Sequence, residues 1–85
     1  MSDHPTDFQG DVLASIRDAI GAKIPGAHVE VTGGGGHYSI TVASPVFSGK
    51  SMLASQRLVY EAIAPLMGGP RPAVHAVDRL TTKAE

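Results

Sequence analysis

The sequence has 85 residues, of which 42% are apolar, and seven Lys and Arg stand against eight Asp and Glu. This length accommodates one small domain with a single core and excludes a second domain. The formal net charge of -1 gives the whole chain no electrostatic attraction to a polyanion, so nucleic acid is not the default partner.

Cysteine is absent, which excludes a disulfide framework and a thiolate metal site built by this chain alone. The first six residues are mostly polar, and no apolar run reaches the roughly 18 residues that span a bilayer. We therefore expect a soluble, cytoplasmic protein that has no secretory signal and no membrane partner.

The first predicted element is a helix that begins at Thr6. Thr6-Asp7-Phe8-Gln9 has the form of a capping box, in which the first and fourth side chains satisfy amides at the helix start. Apolar residues then recur with helical spacing, and Gly21 and Pro25 bracket the end. The apolar positions are Phe8, Val12, Leu13, Ile16 and Ile20.

Two strands are predicted next. Residues 28–32 alternate between apolar and polar side chains, and residues 38–42 repeat that pattern after four consecutive glycines, which indicates an antiparallel hairpin. His28 is out of phase with Val29 and Val31, so we expect it to face solvent. Glycine-rich loops can bind phosphate, but only where a helix follows at once; here a strand follows, and we interpret the glycines as a flexible turn.

From Ser51 the apolar positions return to helical spacing, so a second helix is expected to cover the same sheet face as the first. These positions are Met52, Leu53, Val59, Tyr60, Ile63, Leu66 and Met67. Pro65 lies within the pattern, where a proline loses a hydrogen bond and clashes with the preceding turn. We therefore expect a break near Ile63 or Ala64, followed by one short helical turn.

The last predicted element is a strand over residues 73–81, after Gly-Gly-Pro at residues 68–70 has ended the helical region. The order α-β-β-α-α-β predicts a two-layer α+β domain over residues 6–82, with the helices on one face of a three-stranded mixed sheet. The long connection before the last strand permits parallel pairing. Residues 1–5 and 83–85 are expected to be disordered tails.

Four motifs follow one another along the chain. They are Gly36-His37-Tyr38, Phe47-Ser48-Gly49-Lys50, Gln56-Arg57-Leu58-Val59-Tyr60 and His75-Ala76-Val77. This array resembles the BolA family over roughly residues 12–81, nearly the whole chain. The resemblance implies a fold related to the second type of KH domain, which agrees with the element order derived above.

Histidines are the strongest candidate ligands, because neutral imidazole is the commonest nitrogen ligand of transition metals. His37 and His75 each open a predicted strand, although strand-edge histidines can equally be plain polar residues. The resemblance implies that His75 binds a 2Fe-2S cluster shared with a monothiol glutaredoxin and its glutathione. The resemblance implies a second ligand as well, a Cys or His in the loop before the second strand. Gly36 occupies the position directly before the His-aromatic pair, so the resemblance assigns this role to His37, with His28 as a neighbouring substitute.

The resemblance also implies a partner-binding surface. Its residues are Phe47, Gly49, Lys50, Arg57, Ala76 and Val77. From the residues alone, Phe47 holds its loop in the core and Gly49 permits the turn into the helix. Ser55 and Gln56 replace the first two residues of an Arg-His-Arg segment frequent in the family, which weakens the case for a basic contact patch at Arg57.

The resulting hypothesis is a non-enzymatic BolA-like adaptor that pairs with a monothiol glutaredoxin to bind or transfer a 2Fe-2S cluster in iron sensing or cluster trafficking. No spacing indicates an activated nucleophile or an acid-base pair. The alternative is a KH-like, DNA-binding transcriptional regulator, although no GXXG loop joins the helices and only four aromatic residues are available for stacking. A weak homodimer, and a scaffold role in which His75 is dispensable, are further alternatives.

Overall fold

The computed structural model describes residues 5–85, with side chains from Val12 onward. The elements are α1 (Pro5–Lys23), β1 (His28–Gly34), β2 (His37–Ser44), a single 3₁₀ turn (Pro45–Phe47), α2 (Met52–Met67) and β3 (Ala76–Ala84). The three strands form one mixed sheet, which confirms the α+β class. None of the helices in this part of the chain has both the length and the apolar character that a bilayer span requires.

The sheet has the order β1-β2-β3, with β1 antiparallel to β2 and β2 parallel to β3. Gly35 and Gly36 form the hairpin turn with φ angles of +63° and +88°. Positive φ at both central residues defines a type I′ turn, whose twist matches that of the flanking strands and which favours glycine. The predicted hairpin is confirmed, and the glycine run forms a defined turn.

The core lies between the helices and one face of the sheet, since α1 contacts β1 and α2, and α2 contacts β3. Its buried residues are Val12, Ile16, Ile20, Ile24, Val31, Tyr38, Ile40, Val42, Phe47, Val59, Ala62, Ile63 and Val74. Full burial of one large aliphatic side chain contributes about 1.5–3 kcal/mol before entropy costs are counted. The polar residues of β1, His28, Glu30 and Thr32, are exposed on the opposite, open face, as predicted for His28.

Helix α1 begins at Pro5, one residue before the predicted start. The capping box at residues 6–9 and the predicted packing of Phe8 concern side chains outside the described part of the chain. Beyond these, Val12 and Ile16 are buried as the helical spacing predicted.

The predicted break at Pro65 is wrong, because α2 runs without interruption and contains this proline. The element order is therefore α-β-β-α-β. Pro65 is exposed and lies in the last turn, so a single hydrogen bond is lost. Continuing the helix keeps Leu66 and Met67 packed against the core, and the Leu66 carbonyl accepts a 3.0 Å hydrogen bond from the Val74 amide.

The prediction that Met52, Leu53 and Tyr60 face the sheet is also wrong, since they are 70%, 67% and 41% exposed. The buried stripe of α2 is instead Ser55, Val59, Ala62 and Ile63. These four positions follow the spacing of one helical face. Leu53 and Tyr60 lie together on a face of α2 next to this buried stripe, and Met52 lies in the first turn of the helix.

Strand β3 spans Ala76–Ala84, three residues later at both ends than the predicted strand at 73–81. Val74 is fully buried before the strand begins. Lys83 and Ala84 pair in register with the end of β2, so their backbone belongs to the sheet. The prediction of a disordered C-terminal tail is therefore wrong for these two residues.

Candidate functional site

His37 and His75 lie together where β2 and β3 begin. Because these strands are parallel, their first residues lie at the same edge of the sheet. His37 is opposite Ala76 in the register, and His75 immediately precedes that residue. Both side chains are exposed. The fold thus brings two imidazoles that are far apart in sequence to one accessible edge.

His75 is positioned by Gly36. The Gly36 carbonyl accepts hydrogen bonds from the amides of His75 and Ala76 at 2.8 Å and 3.0 Å. A Cβ atom at Gly36 would overlap Cδ2 of the His75 ring and lie only 3.0 Å from its Cγ. The imidazole therefore packs directly on the bare glycine backbone, and Gly36 has a role beyond the flexible turn predicted for it.

His37 is positioned by a carboxylate. Its Nδ1 atom lies 3.2 Å from Oδ1 of Asp78, which is within hydrogen-bonding distance. The two side chains are 60% and 57% exposed, so water competes for both partners. A pair in this environment adds little to the free energy of folding.

Asp78 occupies a β-bulge in β3. The register pairs Tyr38 with Val77 and then Ser39 with Arg79, so Asp78 is an extra residue without a partner position on β2. In a regular ladder, residue 78 would be opposite Ser39. The bulge leaves its carboxylate beside the imidazole at the start of β2 and shifts the alternation of the following residues by one.

The sequence reasoning missed Asp78, although one signal pointed to it. Val77 and Leu80 both pack against the core, yet they are three residues apart. In an uninterrupted strand, residues three apart face opposite sides of the sheet. Two such apolar residues within a predicted strand therefore indicate a bulge at one of the two positions between them, 78 or 79.

His28 cannot act as a substitute for His37. It pairs with Ala43, whereas Gly34 at the other end of β1 pairs with His37. Six residues of extended chain separate the two ends, which corresponds to roughly 20 Å. His4, the remaining histidine of the sequence, lies outside the described residues.

The predicted partner-binding residues occupy different ends of the sheet. Phe47, Gly49 and Lys50 follow the end of β2, and Ala76 and Val77 open β3. Arg57 lies on α2, which connects these two regions in the sequence. Phe47 is 3% exposed and Gly49 has a φ of +79°, so both fulfil the structural roles predicted for them. Only Ala76 and Val77 adjoin the two histidines.

The site offers two nitrogen donors and one nearby carboxylate. Within residues 12–85, no group of three or more His, Cys, Asp or Glu side chains could hold a metal ion.

Comparison with known proteins agrees with the motifs and the fold. The family model described as BolA-like protein matches residues 17–85. No curated protein matches the sequence. A BolA homologue from Coxiella burnetii has 29% identity and a TM-score of 0.65, over 80% of this chain and 85% of that one.

Two further solved structures have the same fold. BolA1 from Mus musculus is 31% identical with a TM-score of 0.62, over 86% of this chain and 66% of that one. BolA1 from Arabidopsis thaliana is 14% identical with a TM-score of 0.68, over 85% and 90% of the two chains, and shows the fold alone. The family match extends over most of the sequence, and the chain belongs to the BolA-like family.

Proposed function

We propose that this chain is a non-enzymatic adaptor that joins a monothiol glutaredoxin to bind or transfer a 2Fe-2S cluster, in iron sensing or cluster trafficking. The observation that supports the proposal is the juxtaposition of His37 and His75 at one exposed sheet edge. Membership of the BolA-like family supports it independently, through the functional residues that the family motif assigns to these positions.

The donor set fits half of such a centre. Iron-sulfur clusters normally take four ligands, most often thiolates. This chain has two suitable imidazoles and no cysteine. The glutaredoxin cysteine and its bound glutathione would supply the thiolates, and histidine ligation would raise the reduction potential above that of an all-thiolate centre.

The chain's own contribution is to preset the two imidazoles. His37 is the first residue of β2, and His75 directly precedes β3 with its amide hydrogen-bonded to the Gly36 carbonyl. A ligand anchored in this way is held more accurately than one on a free loop. Their exposure leaves the ring nitrogens accessible to a cluster carried by another protein. The pairing of β2 with β3 places the backbone of His37 opposite Ala76, the residue next to His75.

The proposal is tested by co-expression with a monothiol glutaredoxin, purification through a tag on this chain, and visible absorption and circular dichroism spectra of the complex. We expect a cluster spectrum different from that of the glutaredoxin homodimer.

His75→Ala should abolish this difference. His37→Ala should weaken cluster retention while the metal-free complex still forms. His28→Ala is the matched control, an exposed histidine at the far end of the sheet, and should change nothing.

Two results would contradict the proposal. One is an unchanged spectrum and unchanged cluster stability in His75→Ala. The other is tight, steeply salt-dependent binding of DNA or RNA by the metal-free protein, with no affinity for glutaredoxin. Steep salt dependence is characteristic of binding through phosphates, whereas a cluster-bridged complex should depend on iron and glutathione.

A further inference from the structure

We propose that Asp78 is a positioning residue that fixes the tautomer of His37, so that Nε2 is the nitrogen left to bind metal. That His37 binds a metal at all rests on the proposed function. The effect of Asp78 on the imidazole is a property of this chain alone and can be measured without a partner.

The hydrogen bond determines which nitrogen carries the proton. An ionised carboxylate has no hydrogen to donate, so its bond to Nδ1 at 3.2 Å requires a proton on Nδ1. In a neutral imidazole the lone pair is then on Nε2. Histidines that bind metals commonly donate their second ring N–H to a carboxylate, which orients the ring and makes the ligand more basic.

The bulge makes this arrangement specific to one of the two histidines. It removes Asp78 from the regular register and leaves it beside the first residue of β2. The His75 ring has no side-chain hydrogen bond within the described residues and is positioned by its contact with Gly36. His37 directly follows the glycine turn, and its exposed ring gains a defined orientation from Asp78.

The first test is a long-range ¹H–¹⁵N NMR spectrum of His37 in the metal-free protein at about pH 8, where free imidazole is neutral. We expect the Nδ1–H tautomer in the native chain and a shift toward Nε2–H in Asp78→Ala. Asp78→Asn should retain part of the effect, because its amide oxygen still accepts a hydrogen bond. Glu30→Gln is the control, since it removes one exposed carboxylate charge from β1 without altering the pair.

Backbone amide spectra of the same samples establish that each variant is folded. A native chain already in the Nε2–H form would overturn the proposal. So would an unchanged His37 signal in folded Asp78→Ala.

The second test measures cluster loss to a chelator from the mixed complex with glutaredoxin. We expect loss on the order of tenfold faster in Asp78→Ala, the lower end of the usual range for residues that orient a ligand, because this pair is exposed. Glu30→Gln should match the native chain. Equal rates for Asp78→Ala and the native chain would overturn the positioning role. An Nδ1–H tautomer that depends on Asp78, in a chain that forms no cluster complex, would contradict the proposed function while supporting the assignment of Asp78.

Discussion

At the scale of single residues, the two histidines at the site are held by different means. His75 rests on a glycine with no side chain, and the carbonyl of the same glycine binds the backbone at residues 75 and 76. His37 is oriented by a carboxylate from the neighbouring strand. The contact at His75 depends on close packing, and the contact at His37 depends on a solvent-exposed hydrogen bond. We therefore expect the two to respond differently to substitution.

Gly36→Ala should destabilise the protein and displace the His75 ring, because the added methyl group overlaps it. The positive φ adds roughly 1–2 kcal/mol of strain. Gly35→Ala is the control, since its φ is also positive but no atom lies within 4 Å of the added Cβ. Urea denaturation gives the free energies of unfolding, and NMR reports the His75 ring. Equal stability of the two variants, with an unshifted His75 signal, would contradict the packing described.

At the scale of elements, α2 shows how tertiary packing selects among several apolar faces. The helix has apolar residues on more than one side, and periodicity alone assigned Leu53 to the core. The face that packs includes the small residues Ser55 and Ala62. Small side chains let a helix approach its neighbour closely, so this face buries Val59 and Ile63 completely. Hydrophobicity alone does not distinguish such a face from a more apolar one beside it.

Ile63→Ala should lower the free energy of unfolding by about 2–5 kcal/mol, the usual cost of truncating a buried aliphatic side chain. Leu53→Ala should change it by less than about 0.5 kcal/mol, because the residue is exposed. The two substitutions remove similar groups from one helix. Comparable losses for both in urea denaturation would show that Leu53 packs in the core after all.

Pro65→Ala should stabilise the protein by on the order of 1 kcal/mol, since an alanine restores a helical hydrogen bond and removes a steric clash. The gain is limited because the unfolded chain becomes more flexible. Pro70→Ala, after the helix end, is the control and should be neutral or slightly destabilising. Thermal or chemical denaturation measures both. A loss of stability in Pro65→Ala larger than that in Pro70→Ala would be incompatible with an uninterrupted α2.

At the scale of the whole molecule, the sequence predicted the architecture better than the details of β3. Short-range alternation and four glycines predicted the hairpin, and the length of the next connection permitted the parallel strand. The bulge at Asp78 breaks the alternation, so the predicted strand was displaced by three residues. Val74 added to this error, because it is apolar and buried like a core residue of a strand although it lies before β3 begins.

For the site, too, the sequence predicted the main residues but not the contacts that position them. The family motif named His37 and His75, and the parallel register shows that the two are neighbours. The contacts of Gly36 and Asp78 could not be read from the motif, because each depends on the exact pairing of β2 with β3. A shift of one residue in that pairing would separate both from their histidines. The site is therefore a property of the assembled sheet.

The most direct test of the central claim is pulsed electron paramagnetic resonance of the reduced mixed complex. This chain is labelled with ¹⁵N-histidine, and the glutaredoxin is unlabelled. If both imidazoles bind the cluster, we expect ¹⁵N couplings from two of this chain's ring nitrogens, with these couplings lost in His75→Ala and both retained in His28→Ala. A cluster-loaded complex without any ¹⁵N coupling, or with couplings unchanged by His75→Ala, would contradict the account.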